Sequence, residues 1–269
     1  MALRDALGTV HARALPTARI VSLVPSITEL ICDLGLAGQL VGRTGFCVHP
    51  REIVSTIPKL GGTKDVDLDR VRALAPTHVL LNIDENEKSV AEALAQFVPK
   101  LVVTHPMGPL DNPPLYRLLG GIFGQDAAAE ALCSRFHAAH TALIAAAAAW
   151  PRQRVLYLIW KNPWMTVARD TYISRALACA GWDTVPAQAA DRYPRVELDA
   201  DLLQDVDLVL LASEPYRFRA QHLAELRALP GMRTKKLVLI DGEMSSWYGS
   251  RAIAGANYLH GLRQSLQVP

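Results

Sequence analysis

Along this chain, short continuous apolar runs alternate with segments whose apolar residues recur at helical period. The runs are residues 19–24 (RIVSLV), 78–82 (HVLLN), 100–104 (KLVVT), 154–160 (RVLYLIW), 207–212 (DLVLLA) and 236–240 (KLVLI). Uninterrupted apolarity over so few positions marks strands covered on both faces, as in parallel sheets. Between them, residues 87–97 (EKSVAEALAQF) and 219–228 (RAQHLAELRA) carry the amphipathic helical pattern. Strand–helix alternation predicts α/β units.

The pattern also repeats. Residues 65–82 (DVDLDRVRALAPTHVLLN) resemble 195–212 (RVELDADLLQDVDLVLLA), and each is followed by an acidic loop, IDENEK at 83–88 and SEPYRF at 213–218. Earlier in each half, a helical segment containing a threonine ends in glycine, at 24–35 and at 165–181. Two similar halves predict two similar lobes. Between them, residues 124–150 are alanine-rich and stop before Pro151, the composition of a helix ended by proline. About 25 helical residues at ~1.5 Å each make a rod of roughly 38 Å, long enough to connect two lobes. The predicted organisation is an N-terminal α/β lobe over 19–122, a connecting helix over 123–150 and a C-terminal α/β lobe over 151–269. The fold expected is α/β, two Rossmann-like lobes with parallel sheets joined by one long rigid α-helix.

Composition narrows the function. Half of the 269 residues are hydrophobic and 20% are charged, enough for a sizeable core. A net charge of +2 is too balanced to imply nucleic acid or an anionic membrane surface. No apolar run approaches the ~20 residues of a membrane span. The first 21 residues show no apolar signal core, and no cysteine precedes Cys32, so neither an export signal nor a lipid-anchor cysteine is expected from this stretch. Cys32 and Cys179 lie in helical runs and read as buried structural thiols.

Candidate chemistry is sparse. Ser26 and Glu29 have the spacing of a capping box, and an exposed helix start there would suit a ligand carboxylate or phosphate. Residues 61–65 (GGTKD) lack phosphate-loop spacing and read as a turn. His137 with His140, and Cys47 with His49, are too few to define a metal centre, so no metal is expected. There is no nucleophile motif and no evident acid–base pair, which argues against an enzyme. Asp69 and Asp199 are the repeated acids: each suits a helix start, or a symmetric pair facing basic residues of a symmetric partner. Glu85 and Glu214 form a second such pair. The aromatics Phe46, Trp160, Trp164, Tyr193, Tyr216, Trp247 and Tyr248 all fall in predicted loops. In open parallel sheets ligands bind beyond the carboxyl ends of strands, so these rings either cap the sheets or form an apolar wall for a large flat ligand.

Residues 19–50 (RIVSLVPSITELICDLGLAGQLVGRTGFCVHP) resemble the opening of the cobalamin- and iron-chelate-binding receptors of ABC importers, the substrate-binding family with a helical backbone. Residues 60–81, 162–182 and 207–218 resemble further segments of that family, in the same order, so the likeness spans 19 to about 265. The resemblance implies two α/β lobes with a ligand cleft between them, no intrinsic cofactor, and a corrinoid or ferric chelate as the bound ligand. It implies a membrane-embedded permease as partner, a monomeric receptor and a periplasmic location, with a cytoplasmic one left open by the missing signal. It assigns Phe46, Met165 beside Trp164, and Tyr193 to the cleft, and Trp247 with Tyr248 to its C-terminal loop. Trp160, Tyr216 and Arg217 are further candidates there, and Asp69 and Asp199 match the glutamates that dock on permease arginines. The chain departs from the family at Thr63 and Asn82, which stand where cleft tryptophans are expected. Alternatives within this reading are a ferric-siderophore or haem receptor, for which Arg192, Arg195, Arg217 and Arg219 would face an anionic chelate, and a cytosolic corrinoid-handling protein. Of the first tryptophan pair, Trp164 is the expected ligand contact, and Trp160, within the apolar run, is as well placed for the core.

Overall fold

The structure, a computed structural model, describes residues 2–267. The chain divides into two compact units. The first comprises the residues up to Pro106, Leu110–Phe136 and Tyr248–Arg251; the second comprises Met107–Pro109, His137–Trp247 and the residues from Ala252 on.

The first unit opens with a hairpin, β1 (Leu3–Arg4) and β2 (Val10–His11), turning at Gly8 with φ of +84°. Its buried Asp5 does three jobs. Oδ1 accepts from Leu7 N and Thr9 N, closing the turn, and Oδ2 meets His11 Nε2 at 3.0 Å and accepts from Val103 N at 3.2 Å. Ala6 N also donates to Val103 O at 2.9 Å. The hairpin thereby covers the free side of β6 (Lys100–Thr104), a strand that ends the sheet and would otherwise present unpaired backbone groups. The sheet order is β4-β3-β5-β6, all parallel, from β3 (Ile20–Ser22), β4 (Leu40–Arg43) and β5 (His78–Asn82). Beyond the short α2 (Arg51–Val54), Val21, Leu23, Val79, Leu81 and Val103 pack there with Val71 of α3 (Leu68–Ala73) and Leu94 of α4 (Lys88–Leu94).

Helix α1 (Pro25–Asp33) corrects one expectation. Ser26 and Glu29 form no capping box. Pro25, whose fixed φ suits a first helical position, starts the helix after Val24 and leaves Ser26 inside it. Glu29 instead takes a bidentate ion pair from Arg251, with both N–O distances 2.7 Å. The two helical-run cysteines are corrected too: Cys32 and Cys179 are half-buried, and Cys47 and Cys133 are the buried thiols.

After α5 (Asn112–Ile122), the alanine-rich run forms α6 (Asp126–Ala147), 22 residues long, and the unit boundary falls within it. The second unit repeats the first. Its strands β7 (Gln153–Leu158), β8 (Trp182–Thr184), β9 (Leu208–Ala212) and β10 (Lys236–Ile240) are parallel, in the order β8-β7-β9-β10. With β7 to β10 in place of β3 to β6, the order is that of the first sheet. The helices after β3 and β7, α1 and α7 (Tyr172–Cys179), are each followed by a left-handed glycine, Gly35 at φ +80° and Gly181 at +77°. The repeat is not exact. Asp67 caps α3, whereas Asp199 caps α8 (Ala200–Gln204), so Asp69 and Asp199, equivalent in sequence, sit in the first turn of one helix and at the cap of the other. Both are exposed. Beyond them, α9 (Ala220–Arg227), α10 (Gly242–Ser246) and α11 (Arg251–Ser265) complete the chain. No helix among the described residues is long and apolar enough to cross a membrane.

Candidate functional site

Parallel strands place all their carboxyl ends at one edge of a sheet, and the loops leaving that edge are where ligands collect. In the first unit polar side chains tie these loops together. Asn86 accepts from Asn82 N at 2.9 Å and donates to Thr63 O at 2.8 Å and Leu23 O at 3.3 Å. One amide therefore joins the ends of β3 and β5 to the turn at 61–65. Buried Asn82 accepts from Asp84 N at 2.8 Å and donates to Thr104 Oγ1 at 3.4 Å, and Asp84 lies 3.3 Å from His105. Thr63 and Asn82, where the resemblance expects rings, are thus part of a hydrogen-bonded mesh. Cys47 belongs to a buried polar knot instead of a metal pair: Thr28 donates to its sulfur at 3.0 Å, Thr44 Oγ1 lies 3.2 Å away, and burial raises its pKa.

Phe46 leaves this mesh for solvent, 63% exposed. Gly45 N donates to Gly61 O at 2.7 Å, and Gly61 has φ of +93° with space for no Cβ, which would lie 2.1 Å from Asp65 O. That pairing holds the loop, and the Phe46 ring stands over Gly62. Tyr248 behaves in the opposite way from the exposed-loop expectation. It is only 7% exposed, its hydroxyl donates to Glu85 at 2.5 Å, and burial pushes its pKa well above the usual value. Its neighbour Gly249 is fixed by Tyr116 OH, which donates to Gly249 O at 2.8 Å, and by Asn112 Oδ1, which accepts from Gly249 N at 2.7 Å.

In the second unit rings do the corresponding work. Trp160 meets Tyr216 edge-on at 5.6 Å, Tyr216 leans on Phe218 at 4.7 Å, and Trp164 stacks on Phe218 at 6.2 Å with planes 7° apart. The loops after β7 and β9 are thereby joined through their aromatics. Burial divides the tryptophan pair differently from expectation: Trp160 is 40% exposed, whereas Trp164 is half-buried and packs against the core with Leu158, Leu203 and Leu226. Burial along the apolar run ends at Ile159, one residue before the Trp160 side chain turns outward. Trp247 is half-buried, and its Nε1 donates to Glu214 at 2.5 Å. Burial raises the Glu214 pKa despite that bond. Arg217 is exposed beside Tyr216.

A three-segment ribbon builds the concave part. Met165 pairs antiparallel with Trp160 on one side and with Arg195 on the other. Thr166 N donates to Pro194 O, Ala168 N to Arg192 O and Val196 N to Trp164 O, at 3.1, 2.8 and 3.0 Å. Directly paired residues of such a ribbon share a face, and so do alternate residues along one strand of it. Met165, Tyr193 and Arg195 accordingly line one pocket of ≈ 650 Å³, together with Gln188, Asp191 and Pro186 from the loop after β8. The structure thus brings Met165 and Tyr193 together. Asp191, Gln188 and Pro186 escaped the sequence reading, although the alternation in DRYPRVE is the signal that would have found Asp191. His137 and His140 gather no metal-binding set: His140 Nε2 lies 3.6 Å from Cys179 Sγ, and among the described residues no group of three or more His, Cys, Asp or Glu could hold a metal.

A family model described as periplasmic binding protein matches residues 20–243. A vitamin B12-binding protein of Vibrio vulnificus strain YJ016 is 25% identical over 199 residues, covering 74% of this chain and 72% of that protein. Among solved structures, the periplasmic vitamin B12 binding protein BtuF of Vibrio cholerae aligns with a TM-score of 0.80 at 15% identity, over 94% of this chain and 99% of that one. The periplasmic heme-binding protein RhuT from Roseiflexus sp. RS-1 aligns at 0.78 and 21% identity, over 93% and 98%.

Proposed function

Because the chain belongs to the periplasmic binding protein family, we propose that it is the substrate-binding component of an ABC importer, that it takes a corrinoid or closely related flat metal chelate, and that it delivers this cargo to a membrane permease. The observation that carries the reading is the pocket at the carboxyl edge of the second sheet, where Met165 and Tyr193 form one wall. A large planar ligand gains most from area laid against rings and a soft thioether. Phe46 and Trp160, exposed on loops at the carboxyl edges of their own sheets, are the rings we assign to the ligand with Tyr193. Trp164, Trp247, Tyr216 and Arg217 border it, and Tyr248, whose hydroxyl holds Glu85, is the further candidate from the first unit. The exposed Asp69 and Asp199 are the proposed docking carboxylates. The protein acts as a monomer on the periplasmic side of the membrane.

A second reading, a haem receptor, is favoured by the likeness to a heme-binding neighbour and by the exposed Arg195 and Arg217. One experiment separates the two. The absorption spectrum of ligand co-purified with the protein is recorded, and tryptophan emission is followed during titration with cyanocobalamin, cobinamide and haem. Quenching by corrinoids at micromolar concentration is expected, and Trp160→Ala reduces it without lowering the melting temperature. Absence of quenching by all three ligands removes the reading. In an uptake arm, reversing Asp69 and Asp199 to lysine leaves ligand affinity intact and abolishes transport; normal uptake by that variant removes these two residues from the mechanism.

A further inference from the structure

The floor of the second unit's pocket has a polar rim whose composition is informative. Positions 191, 193 and 195 alternate along one segment, so Asp191 and Arg195 flank Tyr193 on the face shared with Met165. Arg192, on the intervening position, is engaged elsewhere, 3.6 Å from Asp170 and 3.3 Å from Met107 Sδ. Asp191 and Arg195 differ from it. Among the described residues neither side chain has a hydrogen bond or ion pair, and they do not pair with each other although they line one cavity. An acid and a base kept apart at the rim of a pocket leave one acceptor and one donor directed at whatever enters.

That arrangement selects by chemistry. A carboxylate satisfies Arg195 and meets Asp191 as a like charge, whereas an ammonium group does the reverse. A primary carboxamide offers its oxygen to Arg195 and an N–H to Asp191 at once. We propose that Asp191 and Arg195 are the specificity-determining pair of this pocket, reading a carboxamide on the rim of the ligand and discriminating against a carboxylate at the same place. The inference rests on the chelate-binding reading above and sharpens it: an amide-rimmed macrocycle is favoured over one rimmed by propionates. Met165 and Tyr193 supply the area, and the pair supplies the choice, in keeping with the general division between apolar walls and a few placed polar groups.

The test uses the whole protein and four probes: cyanocobalamin, the positional monocarboxylates made from it by mild acid hydrolysis, cobinamide and haem. Dissociation constants are measured by tryptophan quenching. Against the wild type, at least one monocarboxylate isomer is expected to bind roughly tenfold more weakly than the parent amide, the loss that an unpaired or repelled polar group typically produces. Asp191→Asn removes the repulsion and brings that ratio within about threefold, while Arg195→Gln weakens the amide form by roughly tenfold. Both positions are exposed, so unchanged melting temperatures certify that the variants are folded. Equal binding of the parent and all its monocarboxylates, or tight binding of haem that Asp191→Asn leaves untouched, overturns the specificity pair and leaves the chelate-binding reading standing. No binding of any probe overturns that reading, and the pair's role falls with it.

Discussion

The two units build the same edge with different materials. Each has a four-stranded parallel sheet of one order, a helix ended by a left-handed glycine after the first strand, and an acidic loop after the third. In the first, the loops are tied by amides, hydroxyls and a thiol, with Asn86 bonded to three backbone groups. In the second they are joined by Trp160, Tyr216, Phe218 and Trp164. All five tryptophans of the chain, at 150, 160, 164, 182 and 247, fall in the second unit. Hydrogen bonds fix direction and gain little net free energy, about 1 kcal/mol each. Stacked rings gain more through burial and tolerate small displacements. The topology therefore sets where the loops emerge, and the side chains decide whether the edge is a fixed lattice or an apolar platform. Met165, the residue after Trp164 of that platform, lines the ≈ 650 Å³ pocket with Tyr193.

The comparison breaks most visibly at Phe218, 3% exposed and in contact with Trp164, Tyr216 and His222. Phe218→Ala is expected to cost about 3–5 kcal/mol, the usual loss for a buried ring. It should also red-shift tryptophan emission, which reads the second unit alone. Chemical denaturation followed by that emission measures it, and a midpoint within error of the wild type would mean that the stacked rings do not hold these loops. Asn86→Ala, the matching deletion in the first unit, is expected to cost about 1–3 kcal/mol because it takes a hydrogen bond from the backbone of each of the buried residues Asn82 and Leu23. Far-UV circular dichroism reads this loss. If Asn86→Ala proved as damaging as Phe218→Ala, the distinction between lattice and platform would be lost.

The frame of this molecule was legible where a single physical cause dominates a few consecutive residues. The six apolar runs became β3, β5, β6, β7, β9 and β10, because burial on both faces imposes continuous apolarity. β4 and β8 were missed: LVGR and WDT are short and mixed, and β8 is recognisable only from Gly181 ending the helix before it. The N-terminal hairpin was missed because its core is Asp5 and His11, polar residues whose burial depends on Val103, far along the chain. At the site, loop position was readable and exposure was not. Tyr248 looks like any loop tyrosine until Glu85, 163 residues away, takes its hydroxyl. The exact 130-residue offset of β5 and β9 likewise conceals a two-residue shift of the helix caps, visible only once Asp67 and Asp199 are seen making the same bond.

The smallest expected effect concerns a carboxylate that each edge places in its acidic loop. After β5, Glu85 accepts from the Tyr248 hydroxyl; after β9, Glu214 accepts from the Trp247 indole and, at 3.2 Å, from Ser246 Oγ. Two effects compete at Glu214. Burial disfavours its charge, while the charge strengthens the bonds it accepts. The raised pKa says that burial wins. A carboxyl whose folded pKa lies above its unfolded one contributes stability that is full below the unfolded value and is lost as pH rises through the folded one. At neutral pH the ionised group is therefore a small liability. Glu214→Gln keeps an oxygen for Trp247 and removes the charge. The expected outcome at pH 7 is a melting temperature equal to the wild type's or higher by less than about 3 °C. The share of stability that the Glu214 carboxyl loses as pH rises through its titration is absent from the variant. A drop of several degrees instead would show that the charged bond to the indole outweighs its desolvation, making the acidic loop of the second unit as firmly tied as the mesh of the first.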